Sequence, residues 1–300
     1  MTDGTTPTGE GWFEDLDPDD IDTAAESILS GEAEEPRDWP AIGVEDGYAD
    51  SEDDYYERLH EATLHATKQA VRERERADDQ QLKHAIRAMD DTARTANELA
   101  ERVEEWAGSL FDDVGSGLSG AREIADREPA DATEARVVSL AARVSALDDE
   151  RQGLRAYVET NAPAVAPNLA EMAGPVLAAR LVALAGGLES LAKMPAGTVQ
   201  VLGAEDALFA HLRGHASSPK HGVIFTHEFV RGTRRADRGS AARALAAKLA
   251  LAARADHYAG ERRDRLHADL AARMERIRAR TDEAAEDPGY GDAATDGDDA

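Results

Sequence analysis

The chain has 300 residues, 61 acids against 34 bases, a formal net charge of −27 and no cysteine, which excludes disulfides, thiolate nucleophiles and thiolate metal sites. A hydrophobic content of 42% is enough for a core spread over two or three domains. Only five bases are lysines (Lys68, Lys83, Lys193, Lys220, Lys248), and this arginine-dominated, carboxylate-rich surface fits molar salt. There the Debye length falls to roughly 3 Å, so a local basic patch still meets an anion through short hydrogen bonds.

The opening "MTDGTTPTGEGW" has no basic or apolar signal region, and no uncharged run exceeds 11 residues. The expected protein is soluble and cytoplasmic, with no membrane span. Residues 1–57 hold 20 acids and one base, Arg37, with too few apolar residues for a sizeable core. They are expected to form a reduced acidic N-terminal module, either a small fold or a segment that orders on a partner. Asp17 as cap and Pro18 at the first position predict a short helix reaching about Leu29.

Residues 58–160 predict a long helix and a coiled-coil hairpin. Leu82, Ile86, Met89, Ala93, Ala96, Ala100, Val103, Ala107 and Leu110 step in fours and threes, as a heptad seam does. Gly115, Gly117 and Gly120 interrupt it, and Val137, Leu140, Val144, Leu147, Arg151, Leu154 and Val158 form a second seam. Two such arms predict an antiparallel hairpin, packed within one chain or serving as a dimerisation arm; the small surface two helices bury favours the arm.

Pro163 and Pro167 mark the start of an all-α domain, residues 161–282. Gly174-Pro175 and Gly186-Gly187 predict helix breaks there, and helices fit 203–213, 238–259 and 261–282. "HGVIFTHEF" has the look of a short strand. The tail, 283–300, is expected to be disordered, since 281–300 carries eight acids and no base.

From His211 to Arg263 there are 11 bases and four acids, a net of +7 inside a chain of −27. Lys220 and His221 follow Pro219 in a loop, and Arg231, Arg234, Arg235 and Arg238 fall in another. Arginine forks bond phosphate in bidentate fashion. Arg243 and Arg254 are spaced to share one helix face, with Lys248 flanking it. Internal pairing is the competing reading, Asp237 with Arg238 and Asp256 with Arg254. His211 and His215 are four apart, but Gly214 between them and the lack of an acid partner argue against a metal. Leu208 and Phe209 fit a core or a partner-facing surface, and His227 fits either RNA stacking or a buried, hydrogen-bonded position. None of the glycine pairs follows a strand, so a phosphate-loop or dinucleotide fold is not supported.

The string from Asn168 to His227, "NLAEMAGPVLAARLVALAGGLESLAKMPAGTVQVLGAEDALFAHLRGHASSPKHGVIFTH", resembles the Nop domain. "RGSAARALAAKLALAARADHY" continues it, and "LKHAIRAMDDTARTANELAERVEEW" is similar to the family's coiled-coil arm. The likeness is to the archaeal Nop protein of box C/D small ribonucleoproteins, with nucleolar Nop proteins and a spliceosomal factor as relatives. It implies a mainly α scaffold rather than an enzyme: a coiled-coil hairpin followed by an all-α Nop domain. It further implies a box C/D guide RNA with a kink-turn, a ribosomal-protein-like kink-turn binder, a homodimer through the arm, and recruitment of fibrillarin. Fibrillarin would itself bind S-adenosylmethionine for guide-directed 2′-O-methylation, so no cofactor is expected here. Gly203, Ala204, Glu205, Leu208 and Phe209 would form an RNA or partner loop. Three departures stand out. The family's GAEK motif carries Asp206 in place of lysine, its ALFR motif carries Ala210 in place of arginine, and 1–57 is too short for the relatives' α/β fibrillarin-binding domain. Recruitment would then rest on the reduced module with part of the helix after Ser51. The competing functions are a coiled-coil assembly protein without RNA and an RNA-modifying enzyme; the first leaves the +7 segment unexplained and the second lacks a nucleophile, cofactor loop or metal set.

Overall fold

The computed structural model describes residues 11–31, 35 and 37–286. Among them the chain is helical with no strand, and it divides into two compact units, Met1–Ala77 and Asp78–Ala300.

In the first unit, α1 (Ile21–Ser30), α2 (Trp39–Glu45) and α3 (Glu52–Arg76) surround a small aromatic core. Phe13, Tyr48 and Tyr55 are buried, Phe13 stacks on Tyr48 at 5.5 Å, and the Trp12 indole N–H donates to the Tyr55 hydroxyl at 3.0 Å. Few apolar residues thus suffice because they are large rings that converge. Gly43 is required at this contact, since a Cβ there would lie 2.7 Å from the Tyr55 ring. The first helix starts later than expected, at Ile21. Asp17 closes a turn instead, its carbonyl accepting from Asp20 N–H at 3.0 Å, and the Asp20 carboxylate caps Thr23 N–H at 3.1 Å. The expected boundary at residue 57 falls inside α3, whose Ala62 and Ala66 are buried within the same unit.

The second unit opens with α4 (Asp78–Ala107), α5 (Gly117–Ala125) and α6 (Ala132–Val165). The start of α4 (Leu82, Ile86, Met89) shares a core with the end of α6 (Val158, Ala162), and Val103 shares one with Val137 and Val144. That pairing makes α4 and α6 antiparallel. The two seams therefore close on each other, with α5 as a third wall at the tip; Leu110, Leu140 and Leu147 are half-buried along it. Of the three glycines expected to break the helix, Gly117 and Gly120 begin α5 instead. Buried Asp148 ties α5 to α6, accepting from Arg122 at 2.8 Å, Arg151 at 2.8 Å and Gln152 at 3.0 Å. Pro163 lies inside the last turn of α6, so the helix runs past the expected boundary at 160.

Beyond it lie α7 (Pro167–Ala173), α8 (Pro175–Ala185), α9 (Leu188–Lys193), α10 (Ala196–Val201), α11 (Glu205–Leu212), α12 (Glu228–Arg231), α13 (Arg238–Tyr258) and α14 (Asp264–Glu286). The breaks at Gly174, Gly186 and Gly187 occur as expected, each with positive φ. The central element is α13, which buries Leu245 and Leu249 among seven alanines and packs against α7, α9, α10, α12 and α14. Asp256 on α13 accepts the N–H groups of Asn168 and Leu169, both at 2.9 Å, and so caps α7 from another helix. The arm is fastened to α8 by the Arg180–Asp90 ion pair and by Arg87 donating to the Ala183 carbonyl at 3.0 Å.

The expected strand at "HGVIFTHEF" is a single 3-10 turn, Val223–Thr226, followed by α12. No strand exists among the described residues to pair with it, and the His227 ring caps α12 by accepting Phe229 N–H at 3.1 Å. At the other end, α14 continues through 283–286, where a disordered tail is expected, and 287–300 lie outside the described residues.

Candidate RNA interface

Two backbone bonds draw the Lys220 loop against the end of α10: Gly222 N–H to the Gln200 carbonyl at 2.9 Å and Val223 N–H to the Leu202 carbonyl at 2.8 Å. Only glycine allows this approach at 222, where a Cβ would sit 2.0 Å from the Leu202 oxygen. The Gln200 side-chain amide also donates to the Lys220 carbonyl at 2.7 Å. Gly203 turns the chain with φ +82°, its N–H held by the Glu205 carboxylate at 2.8 Å. Gly203 thus lies close to the segment that follows the Lys220–His221 loop, its Cβ position 3.3 Å from Val223 Cβ.

Phe225 organises the cations. The His221 ring stacks on it at 4.5 Å, and the Arg238 guanidinium lies over it at 5.3 Å. Arg238 is steadied by donating to the Thr233 carbonyl at 3.1 Å. The Lys220 stem passes the first turn of α13, its Cδ within 3.7 Å of the Cβ position of Gly239. Lys220 and His221 from one segment and Arg238 from another therefore come to one place, with Arg231 exposed at the end of α12 and Arg234 and Arg235 exposed on the loop that follows. Backbone N–H groups at the start of α13 add partial positive charge beside them. Such a face bonds anions through charged donors held in place beforehand.

Other expected contact residues are otherwise engaged. Arg254 donates to the carbonyls of Ala192 at 3.0 Å and Met194 at 3.1 Å, closing the end of α9. Arg238 bonds carbonyls, and Asp256 caps α7. Lys248 pairs with Asp269 at 2.9 Å, while Arg243 is exposed. On α11 no residue is fully buried; Leu208 is half-buried and Phe209 is 55% exposed, so Phe209 is surface rather than core. His227 is half-buried and bonded rather than presented, its Nε2 lying 3.0 Å from the Met172 carbonyl, and partial burial pushes its pKa below the usual histidine value. His211 Nδ1 lies 2.9 Å from the Ala216 carbonyl, closing its own loop.

The platform residue, Phe225, is the one the sequence reading overlooked. In a strand, residues 221 and 225 would share a face without touching, whereas the chain bends at Gly222 into the 3-10 turn Val223–Thr226 and brings the two rings together.

A helical hairpin bearing an all-α domain with a cationic loop face is the architecture that the described residues build. Comparison with known proteins agrees: the model of the Nop family, described as "snoRNA binding domain, fibrillarin", matches residues 85–279, and the chain belongs to that family. It is similar to an uncharacterized NOP5 family protein of Methanocaldococcus jannaschii, 35% identical over 274 residues, covering 79% of this chain and 66% of the relative. Nucleolar protein 58 of Botryotinia fuckeliana is 34% identical over 215 residues, 59% of this chain and 38% of the relative. The chain thus spans under two thirds of the length of these relatives. A solved structure titled as a fibrillarin/Nop5p complex aligns with 90% of this chain and 99% of the neighbour at 26% identity, with a TM-score of 0.51. No single helix among the described residues is long and apolar enough to cross a membrane.

Proposed function

We propose that this chain is the non-catalytic RNA–protein scaffold of a box C/D small ribonucleoprotein acting in the cytoplasm. The family match from 85 to 279 carries the reading, because it spans both the arm and the cationic face. In this role the Lys220–Arg238 face meets a kink-turn RNA already bent by a ribosomal-protein-like binder. The unit Met1–Ala77 recruits fibrillarin for guide-directed 2′-O-methylation. Its acid excess keeps it off RNA and suits a protein partner. A homodimer would form through the outer face of the arm, where Trp106 is 41% exposed, since the inner seam is filled within the chain.

Reconstitution in molar salt tests the reading. The protein alone should bind free RNA poorly and should join a preformed complex of RNA and kink-turn binder. Replacing Arg234 and Arg235 by alanine should cost roughly 1.5–3 kcal/mol per lost charged bond, evenly across sequences because phosphate contacts carry no base code. Asp206→Lys should tighten binding. Unchanged affinity in all these variants would remove the loop face from RNA recognition.

A further inference from the structure

A second cationic feature lies between α13 and α14. The two helices form a groove of about 540 Å³, with Arg243 on one wall and Arg273 and Arg276 on the other. Its floor is made of the methyl groups of Ala244, Ala247 and Ala272. One acid lines it, Asp269, and that carboxylate is already bonded to Lys248 at 2.9 Å. Arg243 and Arg273 make no ion pair or hydrogen bond among the described residues, and Arg276 bonds only the Ala272 carbonyl of its own helix, at 3.2 Å.

Six other arginines of the unit are engaged differently. Arg94, Arg102, Arg122, Arg151, Arg155 and Arg180 each hold a carboxylate. In a chain of 61 acids, three guanidinium groups without carboxylate partners around one groove leave a local surplus for an outside anion. A phosphodiester strand matches the lining, with anionic oxygens for the arginine forks and sugar faces for the methyl floor. The groove also begins close to the loop face, where Lys220 Cδ lies 3.7 Å from the Cβ position of Gly239. Ser240, which lines its upper end, is in the first turn of α13 beside Arg238 and Gly239, and residues 240, 243, 244 and 247 recur at helical spacing. From 240 to 248 the track runs roughly 12 Å along the helix.

We propose that the α13–α14 groove is a second phosphate track, which takes the RNA sugar–phosphate backbone as it leaves the Lys220–Arg238 face. The proposal rests on the RNA-scaffold reading and extends its footprint to Arg273 and Arg276. The full-length protein is titrated onto the preformed complex of RNA and kink-turn binder, with affinity read by fluorescence anisotropy and contacts by hydroxyl-radical footprinting. The double variant R273A/R276A should bind on the order of tenfold more weakly and lose protection at one end of the footprint only. R273K/R276K should restore part of both, as a point charge replaces a fork. Both arginines are exposed, so the melting temperature should not change. Wild-type affinity with an unshortened footprint would overturn the track while leaving the loop face standing. So would uniform weakening with every protected nucleotide retained. If the wild-type protein does not join the RNA complex at all, the scaffold reading falls and the track with it. Arginine-dependent binding of poly-glutamate, with no effect on RNA, would reassign the groove to an acidic protein partner.

Discussion

At the scale of single residues, the joint at His227 shows how burial turns a titratable group into a stability element. Its Nδ1 accepts from Phe229 N–H and its Nε2 faces the Met172 carbonyl, which requires a neutral ring with the proton on Nε2. Burial lowers its pKa from 6.5; the Met172 contact and the charge of Glu228 oppose that shift without cancelling it, and Glu171 lines the same cleft. The unfolded chain therefore takes up a proton near pH 6.5 that the folded chain resists. The contribution to stability is complete above that pH and is lost as pH falls through the lower folded value. Melting temperature should decline as pH falls below about 6.5, and His227→Gln should flatten that limb. Equal slopes in the two proteins would assign the limb to other groups.

At the scale of elements, the hairpin is held by close approach rather than by bulk. The α4–α6 contact is lined by Ala96, Ala100, Ala107 and Ala141, with α5 pressed onto the same tip. Gly120 makes the turn into α5 feasible, because a Cβ there would lie 1.8 Å from the Gly115 carbonyl oxygen. Gly120→Ala should cost roughly 1–3 kcal/mol through forced backbone movement, read by urea unfolding, with exposed Ser119→Ala near neutral as control. Val103→Asp tests the seam itself. A heptad pattern alone is equally consistent with a partner chain, but Val103 is fully buried against α6 and α5. A charge there should melt the arm tip at any protein concentration. A loss of helix that protein concentration reverses would return the seam to an intermolecular interface.

At the scale of the whole molecule, the division at Ala77 changes where a truncation should be made. Cutting at 57 strands the rest of α3, with its buried Ala62 and Ala66, without the α1 helix that packs on it. Removing 1–77 leaves Asp78–Ala300 with its own core. The shorter protein should melt cooperatively and join the RNA complex as the full chain does, but should no longer bind fibrillarin in a pull-down. Retained fibrillarin binding would move that surface onto the arm or the Nop domain.

Much was settled locally. The 3.6-residue periods mark the helices, glycine with positive φ marks breaks at 174 and 186, and the +7 segment marks the face where cations gather. These depend on neighbours a few residues apart, which a sequence displays directly. Partner choice was not local. Arg254 closes α9 from 60 residues away and Asp256 caps α7 across 88, so neither role could be read from the acids and bases nearby. The same holds for "HGVIFTHEF": its apolar run suited a strand, but a strand needs another to pair with, and only the assembled helices decided that it would turn instead. The sequence by itself determined the helices and the supply of cations. The tertiary structure decided which cations are engaged inside and which stay at the surface, because that depends on which carbonyls and carboxylates packing brings within hydrogen-bond reach.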